Sequence, residues 1–60
     1  MFQFVEMYVL FRNHKTETVF FSSWDAARSA ATLAMRIHKA LYVCLTNRIT
    51  GEIYEYGTDE

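Results

Sequence analysis

The sequence contains no proline, two glycines and a single cysteine in 60 residues. Each shortage excludes something. One cysteine, Cys44, rules out a disulfide within the chain. With only His14 and His38 beside it, there is no zinc-ligand pattern either. Small domains usually lean on disulfides, metals or partner chains, so this one must rely on packing or association. Charge of one sign is also missing. Six basic residues stand against seven acidic ones, for a formal net charge of −1. A general phosphate-backbone binder needs a clear basic excess. No apolar run approaches the roughly 18 residues of a membrane span. The start, "MFQFVEMY", lacks a basic segment and places Glu6 inside its apolar run, which predicts a poor signal peptide. These features predict a cytoplasmic protein with a reduced thiol, no membrane partner and no cofactor.

What is abundant is apolar surface: 52% of residues are hydrophobic and 17% aromatic. The chain is expected to form one α+β domain over residues 1–60. The stretch 2–12 reads as a strand with both faces apolar. Val5, Met7, Val9 and Phe11 lie on one side; Phe4, Tyr8 and Leu10 lie on the other, interrupted by Glu6. A polar loop at 13–16 leads to a second strand at 17–22. A four-residue loop places Arg12 opposite Glu17, Leu10 opposite Val19 and Tyr8 opposite Phe21, with the opposite charges beside the loop in support.

The clearest element is "SSWDAARSAATLAMRIHKAL" at 22–41. Ser22 or Ser23 can cap it, with Asp25 as the capping-box acid. At 100° per residue one arc holds Ala27, Ala30, Ala31, Ala34, Ile37, His38 and Leu41, and the opposite arc Arg28, Ser29, Thr32, Arg36 and Lys39. The alanine stripe predicts close approach to a sheet, with Trp24 and Leu41 clamping the ends. Strands at 41–46 and 52–56 follow, joined by "NRITG", in which Gly51 supplies a positive φ. The predicted plan is β-β-α-β-β, with the long doubly apolar strand central, antiparallel order 2-1-3-4 and the helix on one face.

One helix covers one face of such a sheet. The expected uncovered set is Phe4, Tyr8, Leu10, Val19 and Phe21, with Val5, Val9, Phe11 and Phe20 toward the helix. Strands 3 and 4 are expected to put Leu41, Val43, Leu45 and Ile53 on one side and Tyr42, Cys44, Tyr54 and Tyr56 on the other. An apolar patch of this size marks an interface, so the five uncovered residues are the candidate homodimer surface.

Catalytic chemistry has little to work with. Cys44 has no basic cluster to make it a thiolate and reads as a packed thiol. His38 has no acid to orient it and reads as a hydrogen-bonded histidine at the core edge. No acid–base pair, phosphate loop or metal cluster is present, so no enzyme activity is expected.

Two charged surfaces remain as candidate target contacts: the acidic end with Glu52, Glu55, Asp59 and Glu60, and the basic helix face with Arg28, Arg36 and Lys39. Edge protection and solvation are the plain readings of both.

The plan, with "SSWDAARSAATLA" and "ITGEIYEYG", resembles the small accessory proteins of bacteriophage and prophage genomes. Characterised phage proteins of this size and class include inhibitors of host RNA polymerase and of host uracil-DNA glycosylase. The resemblance implies a binding protein directed at a host macromolecule in the host cytoplasm. It names no target, because no motif here maps the contact residues of either inhibitor. The other reading from the residues is a single-stranded nucleic-acid module with Phe4, Tyr8 and Tyr54 as a stacking platform.

Overall fold

The computed structural model describes residues 2–57. Strands β1 (Val5–Leu10) and β2 (Thr16–Phe21) form a hairpin. Helix α1 (Trp24–Arg36) follows, then a second hairpin of β3 (Tyr42–Asn47) and β4 (Ile53–Gly57). All pairings are antiparallel and the sheet order is β2-β1-β3-β4. This is the expected α+β architecture, with β1 central.

The core lies between α1 and one face of β1 and β3. Val5, Met7 and Val9 from β1 and Val43 and Leu45 from β3 meet Ala27, Ala31 and Ala34 of the helix, with Ala40 beyond its end. Alanine side chains let the helix backbone approach the sheet, so the aliphatic strand residues fill the space between. Full burial of each such strand side chain contributes roughly 1.5–3 kcal/mol.

Ser23 is the helix cap; its Oγ accepts from the Ala26 N–H at 3.3 Å. Counting from Ser23, the capping-box position is Ala26, so Asp25 is not the capping-box acid as expected. It sits in the first turn, where its charge favours the helix dipole. The helix also ends earlier than its amphipathic pattern suggests. Lys39 turns to φ 55°, and the Ala40 N–H returns to the Ala34 carbonyl at 3.0 Å. That turn carries Leu41 out of the inner arc, while Ile37, the helix C-cap, and His38 stay at the surface. Ile37 is 65% exposed, and Leu33 at the arc's edge is 56% exposed. Leu41 leads into β3 instead, donating its N–H to the Leu10 carbonyl at 2.9 Å.

The first hairpin corrects the expected register. Phe11 N–H donates to the Lys15 carbonyl at 2.8 Å, and His14 N–H donates to the Phe11 carbonyl at 3.0 Å. His14 has φ 69°. This is a three-residue loop with a left-handed third residue, and histidine is among the few side chains enriched there. Asn13 Oδ1 secures the turn by accepting from the Lys15 N–H at 3.1 Å. Leu10 therefore faces Thr16, and Val19 faces Met7 rather than Leu10. The displacement is odd (10 − 7 = 3 positions along β1), and an odd slip moves every β2 side chain to the other face.

The second hairpin turns at Gly51, φ 85°, as expected. Asn47, buried at its base, holds it. Asn47 Oδ1 accepts from the Ile49 N–H at 2.9 Å and the Thr50 N–H at 3.1 Å.

Candidate functional site

The ladder registers define two sheet faces. Residues opposite one another in antiparallel strands share a face. Rows across the open face read Phe20–Glu6–Thr46–Ile53, then Thr18–Tyr8–Cys44–Glu55, then Thr16–Leu10–Tyr42–Gly57. The helix face carries Val19–Met7–Leu45–Tyr54 and Glu17–Val9–Val43–Tyr56.

Of the five expected interface residues, the structure therefore brings only Tyr8 and Leu10 together on the open face. Val19 and Phe21 lie on the helix side because of the odd register slip, and Phe20 takes their place on the open face. Phe4 precedes β1 and packs against the margin of the core, its ring stacked on Phe2 with centroids 6.5 Å apart. The groupings expected for β3 and β4 also change partners. Ile53 joins Tyr42 and Cys44, while Tyr54 and Tyr56 join Val43 and Leu45. The open face missed by sequence reasoning is thus Phe20, Tyr42 and Ile53. The signal for Phe20 lay in "NH": an asparagine able to close a tight turn and a histidine able to take its left-handed position.

This face is mixed rather than wholly apolar. Tyr8 is 37% exposed, Phe20 38% and Ile53 59%. Between them stand Glu6, Glu55 and three threonines. Tyr8 meets Tyr42 edge-on at 6.3 Å between centroids. Tyr42 Oη donates to Glu55 Oε2 at 2.7 Å. That bond to the carboxylate is the main reason the phenol is held well above its usual range, with the neighbouring Cys44 thiol contributing next. The Arg48 guanidinium lies 5.8 Å from the Phe20 ring centroid, a cation–π distance. Cys44 is half-buried, its Sγ 3.9 Å from Thr46 Oγ1.

The two candidate charged surfaces are not laid out as expected. Glu55 belongs to the open sheet face and is engaged with Tyr42, whereas Glu52 lies outside β4 at the hairpin loop. Asp59 and Glu60 lie outside the described residues. Arg28 and Arg36 are both exposed on α1, but the Arg28 guanidinium sits 5.5 Å over the Tyr54 ring, which in turn packs on Trp24 at 5.6 Å. Lys39 is past the helix end in its left-handed turn. Tyr54 and Phe4 are thereby removed from the proposed stacking platform. His38 is exposed rather than tucked at the core edge.

A second feature lies on the helix side. Because α1 sits over β1 and β3, strand β2 is left at the margin, with Thr16 to Phe20 all exposed. Between α1 and β2 runs a groove of about 460 Å³. Its floor is Met7, Val9 and Phe11, its helix wall Leu33 and Ala34, and its polar groups Glu17 and His38.

Among the described residues no three histidine, cysteine, aspartate or glutamate side chains come together to hold a metal ion. No helix in the described residues is long and apolar enough to cross a membrane. Comparison with protein families, curated proteins and solved structures finds no match to the chain.

Proposed function

We propose that this protein is a non-enzymatic protein–protein interaction module that forms a homodimer through the open face of its sheet and binds a host macromolecule in the host cytoplasm. The observation that supports the self-association is the uncovered sheet face itself. It places Tyr8, Leu10, Phe20, Tyr42 and Ile53 on one side of a single-layer sheet. Apolar groups gathered on one open face are typical of an interaction surface. The polar groups between them suit a dimer whose contact is part apolar and part hydrogen-bonded. The host-directed, inhibitory role rests on the resemblance of "SSWDAARSAATLA" and "ITGEIYEYG" to bacteriophage accessory proteins.

Analytical ultracentrifugation tests the reading. The expected result is a dimer at micromolar concentration, converted to monomer by Tyr8→Glu or Leu10→Glu, because each puts an unpaired charge into the contact. A 7.1 kDa monomer at all concentrations would refute it.

The edge-on pair Tyr8–Tyr42 favours a second reading, a single-stranded nucleic-acid platform. Glu6 and Glu55 on the same face would repel phosphates. A salt titration against single-stranded DNA distinguishes the two, since true binding weakens steeply as salt rises.

A further inference from the structure

The first hairpin leaves an edge with a defined phase. The Phe11 N–H to Lys15 carbonyl bond makes this a hydrogen-bonded pair, and such pairs recur at every second position. Glu17, Val19 and Phe21 therefore turn their backbone groups inward to β1. Thr16, Thr18 and Phe20 turn their N–H and C=O groups outward. The Leu41 N–H to Leu10 carbonyl bond confirms the phase from the other side of β1. Among the described residues β2 has a single strand neighbour, β1. It has neither a proline nor a lysine within it, devices that commonly block an edge. The other edge, β4, carries Glu55 and ends at Gly57.

Directly above this edge lies the groove between β2 and α1. Leu33 is more than half exposed on its helix wall, Glu17 lines it from β2, and Val19 stands on the same side of the sheet, opposite Met7 of the groove floor. A strand added to β2 would place alternate side chains on the groove side, opposite Val19 and Glu17. An apolar side chain opposite Val19 would cover both Val19 and Leu33. A lysine or arginine opposite Glu17 would lay its apolar stem along the groove and bring its charge to the carboxylate.

We propose that the β2 edge and its groove bind an extended peptide segment by strand addition, antiparallel to β2, with an apolar residue followed two positions later by a basic one. The segment would belong to the target protein. The inference thus rests on the reading of this chain as an interaction module, but it engages a surface separate from the open sheet face. A second copy of β2 fits less well. Its threonines would meet the outward groups, but in the register centred on position 17 the two Glu17 carboxylates would stand opposite each other. In the registers centred on positions 18 and 19, Glu17 would oppose Val19 or Phe21, with no basic partner.

The test uses the full chain and the synthetic peptide acetyl-Thr-Val-Thr-Leu-Thr-Lys-Thr-amide, followed by amide NMR. Binding should shift the Thr16, Thr18 and Phe20 amide signals and slow their hydrogen exchange. Replacing the peptide lysine by glutamate should weaken binding about fivefold, the scale of an exposed charge pair turned repulsive, and Glu17→Lys should invert that preference. Thr18→Pro should abolish binding while leaving the fold intact, because the lost N–H points away from β1. No shift along β2, or equal binding of both peptides with no inversion in Glu17→Lys, would overturn the proposal. So would protection of these amides that rises with protein concentration before peptide is added, since the occupant would then be a second copy. No peptide binding by the unsubstituted chain, when that chain sediments as a dimer, removes this site alone. Peptide binding retained by a monomer removes the dimer alone.

Discussion

Tyr42 Oη reaches diagonally across from β3 to β4 and donates to Glu55 Oε2 at 2.7 Å. The bond ties the last strand to the sheet on its uncovered side. It stabilises the protonated phenol, so Tyr42 titrates above its usual value of about 10, chiefly because ionisation would forfeit the hydrogen bond to Glu55, with the neighbouring Cys44 thiol contributing next. The sign of the linkage follows. A raised folded-state value contributes stability that is fully present below the unfolded value and is lost as pH rises through the folded one. Melting temperature should therefore lose this contribution only in strongly alkaline solution. Glu55→Gln should move the Tyr42 titration, read by carbon NMR of the ring, back down. An unchanged titration in that variant would show that the bond does not govern the phenol.

The exchange of Val19 and Phe21 for Phe20 on the open face separates two models of the dimer. Phe20→Glu should dissociate it, whereas Val19→Glu should leave sedimentation unchanged, since Val19 points to the helix side of the sheet. Both positions are exposed, so neither substitution buries its new charge in the monomer core. The reverse outcome would mean that self-association uses the groove side.

Ala31 is fully buried on the inner face of α1, and Arg36 is exposed in the helix's last turn. Ala31→Leu should destabilise the fold by roughly 1–3 kcal/mol, because added methylenes force the helix away from Val9, Val43 and Leu45 or off-rotamer. Arg36→Ala should stay within about 0.5 kcal/mol. Thermal melts of the two variants read the difference directly.

The parts of the structure legible in the sequence are those where one pattern repeats. The alanine arc predicts the buried helix face, and the doubly apolar stretch at 2–12 predicts a central strand; Val5, Met7 and Val9 are buried as that pattern requires. Strand order follows, because a long strand apolar on both faces belongs in the middle of the sheet. The candidate site was less legible because it depends on parity. Whether β2 shows Phe20 or Phe21 to solvent depends on a single residue of loop length, and the Arg12–Glu17 charge pair argued for the longer loop. The local chemistry of Asn13 and His14 outweighs that pair: a side-chain bond and a tolerated left-handed residue are gained in the turn itself, while an exposed ion pair contributes little. The helix end was obscured in the same way. Ile37 and His38 continue the apolar arc, and nothing in the pattern marks Lys39 as the residue that leaves it, since glycine is the usual occupant of that backbone conformation.

Asn47 shows how a loop residue by composition becomes a core residue by position. It lies at the end of β3, buried, with its backbone N–H donating to the Glu52 carbonyl at 2.8 Å. Its carbonyl accepts from the Gly51 N–H at 2.7 Å, which fixes the positive-φ turn. Its side-chain oxygen takes the two loop donors, Ile49 and Thr50 N–H. Next to it the Arg48 N–H donates to the Phe4 carbonyl at 2.8 Å, so the loop is bonded to the start of the chain as well. Asn47→Ala keeps every backbone bond available but leaves two loop N–H groups without their acceptor. The cost should be about 1–3 kcal/mol if both donors stay shielded from solvent, and less if the loop opens to water. Asn47→Asp retains the acceptor and adds a charge aimed at two N–H donors, so it should recover a large part of the loss at neutral pH and lose that recovery as the carboxyl protonates in acid. Hydrogen exchange supplies the discriminating measurement. In Asn47→Ala the Ile49 and Thr50 amides should exchange faster while the Tyr8 and Leu10 amides of β1 keep their protection, because the lesion is confined to one hairpin. Uniform loss of protection across both hairpins would show instead that Asn47 supports the whole sheet.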